Sequence, residues 1–265
     1  MIKKFIRFFL LFFLLLSLCQ VTLFYLRERS QVSGLTVDAN ETETFRRQQL
    51  TGQLVKQLQR EKISAELFPF VLASTMAKGD FSPTELSWDF DLYEKYKPRE
   101  FSQLVQSYSA IWQDLEYFPL PKENVSYVDT WMARRSYGKD RRHEGTDLFI
   151  ENAQAGEYPV YSMTDGVVEQ IGWLPLGGYR LGIRSDHGGY FYYAHLFSYW
   201  KRYEIGEEIS AGEIIGFMGN TGYGDEGTSG KFPVHLHLGI YISTENKEEQ
   251  SVNPYWILRY MEGQD

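Results

Sequence analysis

Val234-His235-Leu236-His237-Leu238-Gly239-Ile240 carries an apolar residue at every second position and imidazoles between the first of them. Successive side chains of a β-strand point to opposite faces, so Val234, Leu236, Leu238 and Ile240 share one side and both histidines the other. A sheet with one buried face and one polar, working face follows from that alternation. Two imidazoles on one surface make either an ordinary hydrogen-bonded pair or part of a metal or reaction site, and both readings fit this stretch alone.

The strand pattern extends outward. Short β-rich runs occupy residues 158–163, 166–173, 179–184, 190–196, 214–218 and 234–243, separated by turn sequences such as Thr164-Asp165-Gly166 and Asp186-His187-Gly188-Gly189. They predict a mainly β C-terminal domain, an antiparallel sheet packed or curled on itself like a barrel. Asn253-Pro254 then opens a short terminal helix through Tyr260. Upstream of Pro119-Leu120-Pro121 the pattern is helical. Phe101, Leu104, Val105, Tyr108, Ile111, Trp112 and Leu115 recur at spacings of three and four, the mark of an amphipathic helix. Leu50, Leu54 and Leu58 form one further apolar stripe, core or coiled-coil seam. Ser82-Pro83-Thr84-Glu85 combines a capping Ser, a Pro at the first helical position and a Glu that can reach back, so a helix is expected from there towards Tyr96.

Residues 8–26 carry no charge. At 1.5 Å per residue they make a helix of about 28 Å, close to the thickness of a bilayer's hydrocarbon layer. The run is longer than a usual signal-peptide core, and no small-x-small cleavage site follows it, so an uncleaved anchor is expected. Lys3, Lys4 and Arg7 precede it and Arg27 and Arg29 follow, which by the positive-inside rule orients the rest of the chain outside the cytoplasm. Five segments result: a basic N-terminus (1–7), a single membrane span (8–26), a linker (27–41), a helical accessory region (42–118) and a β-rich domain (119–265).

Composition removes several classes of function. With 27 Lys+Arg against 35 Asp+Glu the net charge is −8, and a field of that sign repels phosphate backbones, so nucleic acid is not an expected partner. One cysteine, Cys19, excludes an internal disulfide, a zinc ribbon and an iron–sulfur centre. Any metal must be held by histidine and carboxylate. Gly222-Tyr223-Gly224-Asp225-Glu226-Gly227 fits the dinucleotide-binding glycine pattern in letters only, because a strand and not a helix follows it. Its glycines suit a mobile loop beside a groove.

All five histidines, at 143, 187, 195, 235 and 237, lie in the β-rich part. In His143-Glu144-Gly145-Thr146-Asp147 an imidazole and a carboxylate four apart converge on one side. One more histidine completes three protein ligands for zinc, with a fourth position left for water. In Tyr190-Phe191-Tyr192-Tyr193-Ala194-His195, strand alternation puts Phe191, Tyr193 and His195 on one face. His187 sits in a glycine-rich turn, where exposure is expected. No His-Glu-x-x-His helix is present, so Glu144 has no claim to the base role of that motif.

The order His143-x-x-x-Asp147, then Tyr193-Ala194-His195-Leu196, then His235-Leu236-His237-Leu238 resembles the lysostaphin/LytM-type zinc endopeptidases of bacterial cell walls. The resemblance covers about residues 127–260. It implies one Zn2+ held by His143, Asp147 and His237, with His195 and His235 as unliganded catalytic histidines assisting attack of an activated water on a peptide of peptidoglycan. Tyr137, six residues before the first ligand, is a further candidate donor. A membrane-tethered domain outside the cytoplasm suits a wall substrate. The alternative is a silent scaffold that binds other envelope proteins through the helices. Members of that kind usually lose a ligand or a catalytic histidine, whereas all five motif positions stand here.

Overall fold

The computed structural model describes residues 2–135 and 140–263. The chain opens with α1 (Ile2–Gln31), one helix long and apolar enough to cross a membrane, with none of its residues buried against the rest of the protein. Its C-terminal end docks on the body: Glu28 accepts hydrogen bonds from Lys95 Nζ (2.9 Å) and Tyr96 Oη (2.7 Å), and the Tyr25 and Tyr96 rings meet edge to face. In the stretch that follows, polar by composition, Val32, Leu35 and Ala39 are buried.

Five helices come next: α2 (Glu43–Arg46), α3 (Gly52–Arg60), α4 (Phe68–Lys78), α5 (Phe90–Tyr96) and α6 (Pro98–Tyr108), the last prolonged by a π turn over Ser109–Gln113. Leu54 and Leu58 are fully buried, as are Phe101, Leu104, Tyr108 and Ile111, so both apolar stripes are ordinary core. The helix expected from Ser82 does not form there; it begins at Phe90. Asp80 and Phe81 take left-handed backbone, and the following segment is held by side chains of α4: Ser74 Oγ donates to the Ser87 carbonyl, and Thr75 Oγ1 accepts from Ser87 N. Those contacts occupy the backbone groups that a helix would have needed, and Pro83 packs against Gly79 instead of starting a turn.

The rest is β-structure: β1 (Val125–Ser126), β2 (Arg134–Arg135), β3 (Arg141–Arg142), β4 (Thr146–Ile150), β5 (Pro159–Tyr161), β6 (Gly166–Leu174), β7 (Gly178–Arg184), β8 (Tyr190–Tyr199), β9 (Glu208–Ile209), β10 (Ile214–Met218), β11 (Leu236–Ile242) and β12 (Gln250–Val252). The terminal helix, α7, spans Tyr255–Met261. Among the described residues ten of these strands form one antiparallel sheet in the order β1-β4-β11-β8-β7-β6-β9, with β10 joining β8 to β5 and β12 flanking β11; β2 and β3 pair separately. The sheet is open and does not close on itself like a barrel as expected: β1 and β9, at the two ends of the path, do not pair with each other.

Leu236, Leu238 and Ile240 are buried, as the alternation requires, and belong to the same apolar cluster as Tyr108, Ile111 and Trp112 of the helical region. Polar contacts tie the layers as well: Asn253 N donates to the Arg46 carbonyl of α2 (2.8 Å), and the Met163 carbonyl accepts from Glu116 N and Tyr117 N. Helices therefore cover one face of the sheet, and the groove lies on the other. Ile111 is 0% exposed in this shared core. Ile111→Ala should cost about 2–5 kcal/mol of folding free energy, measured by urea unfolding; a loss under about 0.5 kcal/mol, the scale of a surface change, would refute the shared core.

Candidate metal centre and active-site groove

The register of β4 and β11 places Asp147 directly opposite His237, and β8 on the other side of β11 places Ala194 beside the same histidine. His143 lies just before β4, where its backbone N–H donates to Ala133 O and its carbonyl accepts from Met132 N. Three ligand atoms meet as a result: His143 Nε2 is 3.0 Å from Asp147 Oδ1, His237 Nδ1 is 2.9 Å from the same oxygen, and the two ring nitrogens are 3.1 Å apart. In a tetrahedral site with bonds of ~2.0–2.1 Å, ligand atoms stand about 3.3 Å apart. The cluster needs only a few tenths of an ångström of expansion to hold zinc, and its donors are the nitrogen and oxygen types that zinc accepts.

Second contacts aim these ligands. Thr130 Oγ1 lies 2.8 Å from His143 Nδ1; a proton there, donated to the hydroxyl, leaves the Nε2 lone pair facing the cluster. Arg135 Nη2 donates to Asp147 Oδ2 (2.6 Å), so one carboxylate oxygen is occupied while the other points at the histidines. Gly145 is required by His237: a Cβ on residue 145 would stand 2.5 Å from its Cε1. Burial by itself would raise the Asp147 pKa, but the hydrogen bonds from His143 and His237 outweigh it and hold the carboxyl far below its usual range.

The two remaining histidines flank the cluster. His235 Nδ1 donates to the Pro233 carbonyl (2.8 Å) and His195 Nδ1 to the Thr221 carbonyl (2.8 Å). Each ring is thereby fixed with Nε2 as the free acceptor, and the ring centroids lie 4.8 Å apart. His195 departs from the expected alternation. Phe191 and Tyr193 are buried in the core, whereas His195 lines the groove with Tyr190 and Tyr192. A bulge in β8 against β7 supplies the extra residue, and His195 takes φ +62°, a left-handed conformation rare outside glycine. The bulge turns onto the working face a ring that strict alternation would have buried.

Burial holds the pKa of His195 well below that of a free histidine, with the neighbouring His235 and His237 adding to the effect, and burial lowers His235 and His237 too. These rings are neutral at neutral pH, which suits metal ligation and proton acceptance.

These groups open on a groove of about 740 Å³ that also exposes Tyr192, Tyr223, Phe232 and Arg180. Tyr223 anchors the Gly222–Lys231 loop at its rim, accepting a hydrogen bond from Arg141 Nη2 (2.8 Å) and packing on Phe232. The loop is braced internally by Gly222 N to Thr228 O and Thr228 N to Asp225 O, which the expectation of a mobile loop did not foresee. Glu144 lines the groove but is ion-paired to Arg46 Nη2 (3.2 Å). His187 lies outside the groove, its backbone and ring bound to Asp114 at the end of the helical region. Tyr137 falls outside the described residues. Sequence inspection missed Thr130, Arg135 and Tyr192, because single polar or aromatic residues remote from the motifs carry no spacing signal.

Two imidazoles and a carboxylate form a group that could hold a metal ion, and they are donor types that zinc accepts. Residues 141–254 match the model of Peptidase family M23, and the chain belongs to that family of peptidoglycan endopeptidases. It is 43% identical over 164 residues to an L-Ala–D-Glu endopeptidase of Bacillus subtilis (strain 168), covering 62% of this chain and 49% of that protein. Against lysostaphin of Staphylococcus simulans the identity is 32% over 116 residues, covering 43% and 21%. The chain thus spans half or less of the length of these curated relatives. A crystal structure from Ruminococcus gnavus ATCC 29149, provisionally assigned as a glycyl-glycine endopeptidase lytM, superposes with a TM-score of 0.74 at 42% identity, covering 89% of this chain and 96% of that one.

Two predictions follow from the site's geometry. Thr130→Val removes the group that fixes the His143 tautomer and should weaken zinc binding about 10–100-fold, measured by chelator competition; unchanged affinity would show that Thr130 does not orient the ligand. Below a pH of about 6.5 the unfolded, metal-free chain takes up protons that the buried histidines refuse, so folding stability must fall as pH descends through that window. Urea unfolding in chelator at about pH 7.5 and 5.5 should show the lower midpoint at the acid end, and equal midpoints would contradict the histidine burial.

Proposed function

We propose that this protein is a membrane-anchored zinc metalloendopeptidase that hydrolyses peptides of bacterial peptidoglycan outside the cytoplasm. The observation that carries this reading is the meeting of His143, Asp147 and His237 within 4.8 Å of one another, beside two histidines whose free nitrogens are set by backbone carbonyls. Family membership and the likeness to an L-Ala–D-Glu endopeptidase support the substrate class. On this reading α1 is a single-pass anchor, residues 42–118 are an accessory region and residues 119–265 form the peptidase domain.

His143, Asp147 and His237 are the zinc ligands. Zinc held there would supply Lewis acidity and acidify a water molecule beside the scissile carbonyl. His195 and His235, neutral and presenting Nε2, are the catalytic residues: one accepts the proton lost by the attacking water and passes it to the amine nitrogen as the C–N bond breaks, and the other takes a proton from solvent and donates a hydrogen bond to the oxygen on which negative charge develops. Arg135 is a positioning residue, holding the Asp147 carboxylate so that one oxygen faces the cluster. An extended peptide would lie in the groove between Tyr192 and Phe232. The scaffold alternative loses ground here, because the apolar stripes it would have used for partners are spent in the core under the sheet.

The test is the full chain purified in detergent, supplied with zinc and given purified cell wall, with the released fragments read by mass spectrometry. Stoichiometric zinc and new peptide ends are expected. His143→Ala should lose both metal and turnover, whereas His195→Ala should keep the metal and lose at least about 100-fold in turnover. Equal zinc loss in both variants would overturn the division of roles, and an intact wall after digestion would overturn the function.

A further inference from the structure

Two arginines on β7, Arg180 and Arg184, line the groove together, four residues apart. Their surroundings differ. Arg184 is neutralised by a two-pronged pair with Glu169, Nε to Oε2 at 2.6 Å and Nη2 to Oε1 at 2.7 Å, and lies over the Tyr190 ring. Arg180 faces the amide of Gln170, to which Nη2 donates at 3.3 Å. Among the described residues no carboxylate bonds Arg180, and its Nη1, shut off from solvent, has no hydrogen-bond partner. A guanidinium with a buried, unpaired N–H is costly unless something completes it. The strand pair thus answers one arginine with an acid and leaves the other to a neutral amide.

Two tyrosines pack close to the backbone near Arg180. Gly177 and Gly182 make room for them, since a Cβ at either would collide with a phenol oxygen: Tyr192 Oη at 2.2 Å from the first, Tyr190 Oη at 2.0 Å from the second. Both tyrosines line the same groove as the arginine. Tyr192 in turn reaches the metal cluster, its ring 6.1 Å from that of His237. β8 alone separates Arg180 on β7 from His237 on β11, about 10 Å between those two strands, within the span of a few residues of a bound peptide.

We infer that Arg180 is a specificity-determining residue that pairs with a free carboxylate on the substrate residue adjoining the scissile bond, so that the preferred peptide carries an acid there and not a glycine. The inference rests on the peptidase reading above and deepens it. A D-glutamyl residue within a peptide chain has this property by its chemistry: one of its two carboxyl groups forms the chain, and the other stays free. Guanidinium and carboxylate match as planar, two-pronged partners, and such charge-assisted bonds are the strong ones. An all-glycine substrate would leave Arg180 unpaired.

Two synthetic peptides test this, both containing an L-alanyl–D-glutamyl bond and continuing through the glutamyl side-chain carboxyl, one with the α-carboxylate free and the other with it amidated. The zinc-loaded full chain should show a kcat/KM for the free acid about 10–100-fold above that for the amide. Arg180→Gln should bring the ratio close to one, and Arg180→Lys should restore part of it, a pattern that mere loss of structure would not give. A ratio near one in the unsubstituted protein, or a ratio unchanged by Arg180→Gln, overturns the assignment, as does digestion of cell wall with neither peptide cut. Failure to digest wall at all is a different result: it removes the peptidase reading, and the assignment with it.

Discussion

The hydrogen-bonded register between β4 and β11 is the constraint on which the rest depends. Asp147 and His237 belong to strands 90 residues apart, and they face each other only because the two segments pair antiparallel with those residues in line. A slip of one residue would turn both side chains to the opposite face. The buried run Leu236, Leu238, Ile240 opposes that slip, since it would bring those side chains out of the apolar core. The helical region, by covering that face, helps to fix the ligand geometry from behind.

Much of this was legible in the sequence, and for a definite reason. Strand alternation in Leu236-His237-Leu238 is a one-dimensional pattern that survives folding, as is the His143-to-Asp147 spacing, so the sheet and its two faces could be anticipated, while the choice of His237 as the third member of the cluster came from the family resemblance. The terminal helix and the amphipathic segment around Phe101 to Trp112 were legible on the same grounds. What escaped was set by contacts without a local pattern. Ser82-Pro83-Thr84-Glu85 has the letters of a helix start, but the hydroxyls of Ser74 and Thr75 capture the backbone nearby. Alternation puts His195 on the face of Phe191 and Tyr193, and the bulge that turns it away from them has no spacing signature of its own.

That bulge shows how the site divides labour among its five motif positions. Asp147 and His237 are brought together by regular strand pairing, whereas the rings of His195 and His235 are set by irregular backbone: His195 by its own left-handed conformation in β8, His235 by the Pro233 carbonyl just before β11. Regular pairing gives the rigidity that a metal demands. Irregular positions let a ring be rotated until one nitrogen is capped and the other left bare, and the cost of about 1 kcal/mol or more for left-handed backbone is offset by the surrounding sheet.

The docking of α1 on α5 has its own consequence. Glu28 and Tyr25 grip Lys95 and Tyr96 within two turns of the helix end, and Val32 enters the core directly after it. With α1 seated in a bilayer, as proposed, there is no slack between anchor and body. The cutting face would then ride at a fixed height and tilt above the lipid surface, trimming only that layer of wall lying at its own level and leaving older, outer material untouched.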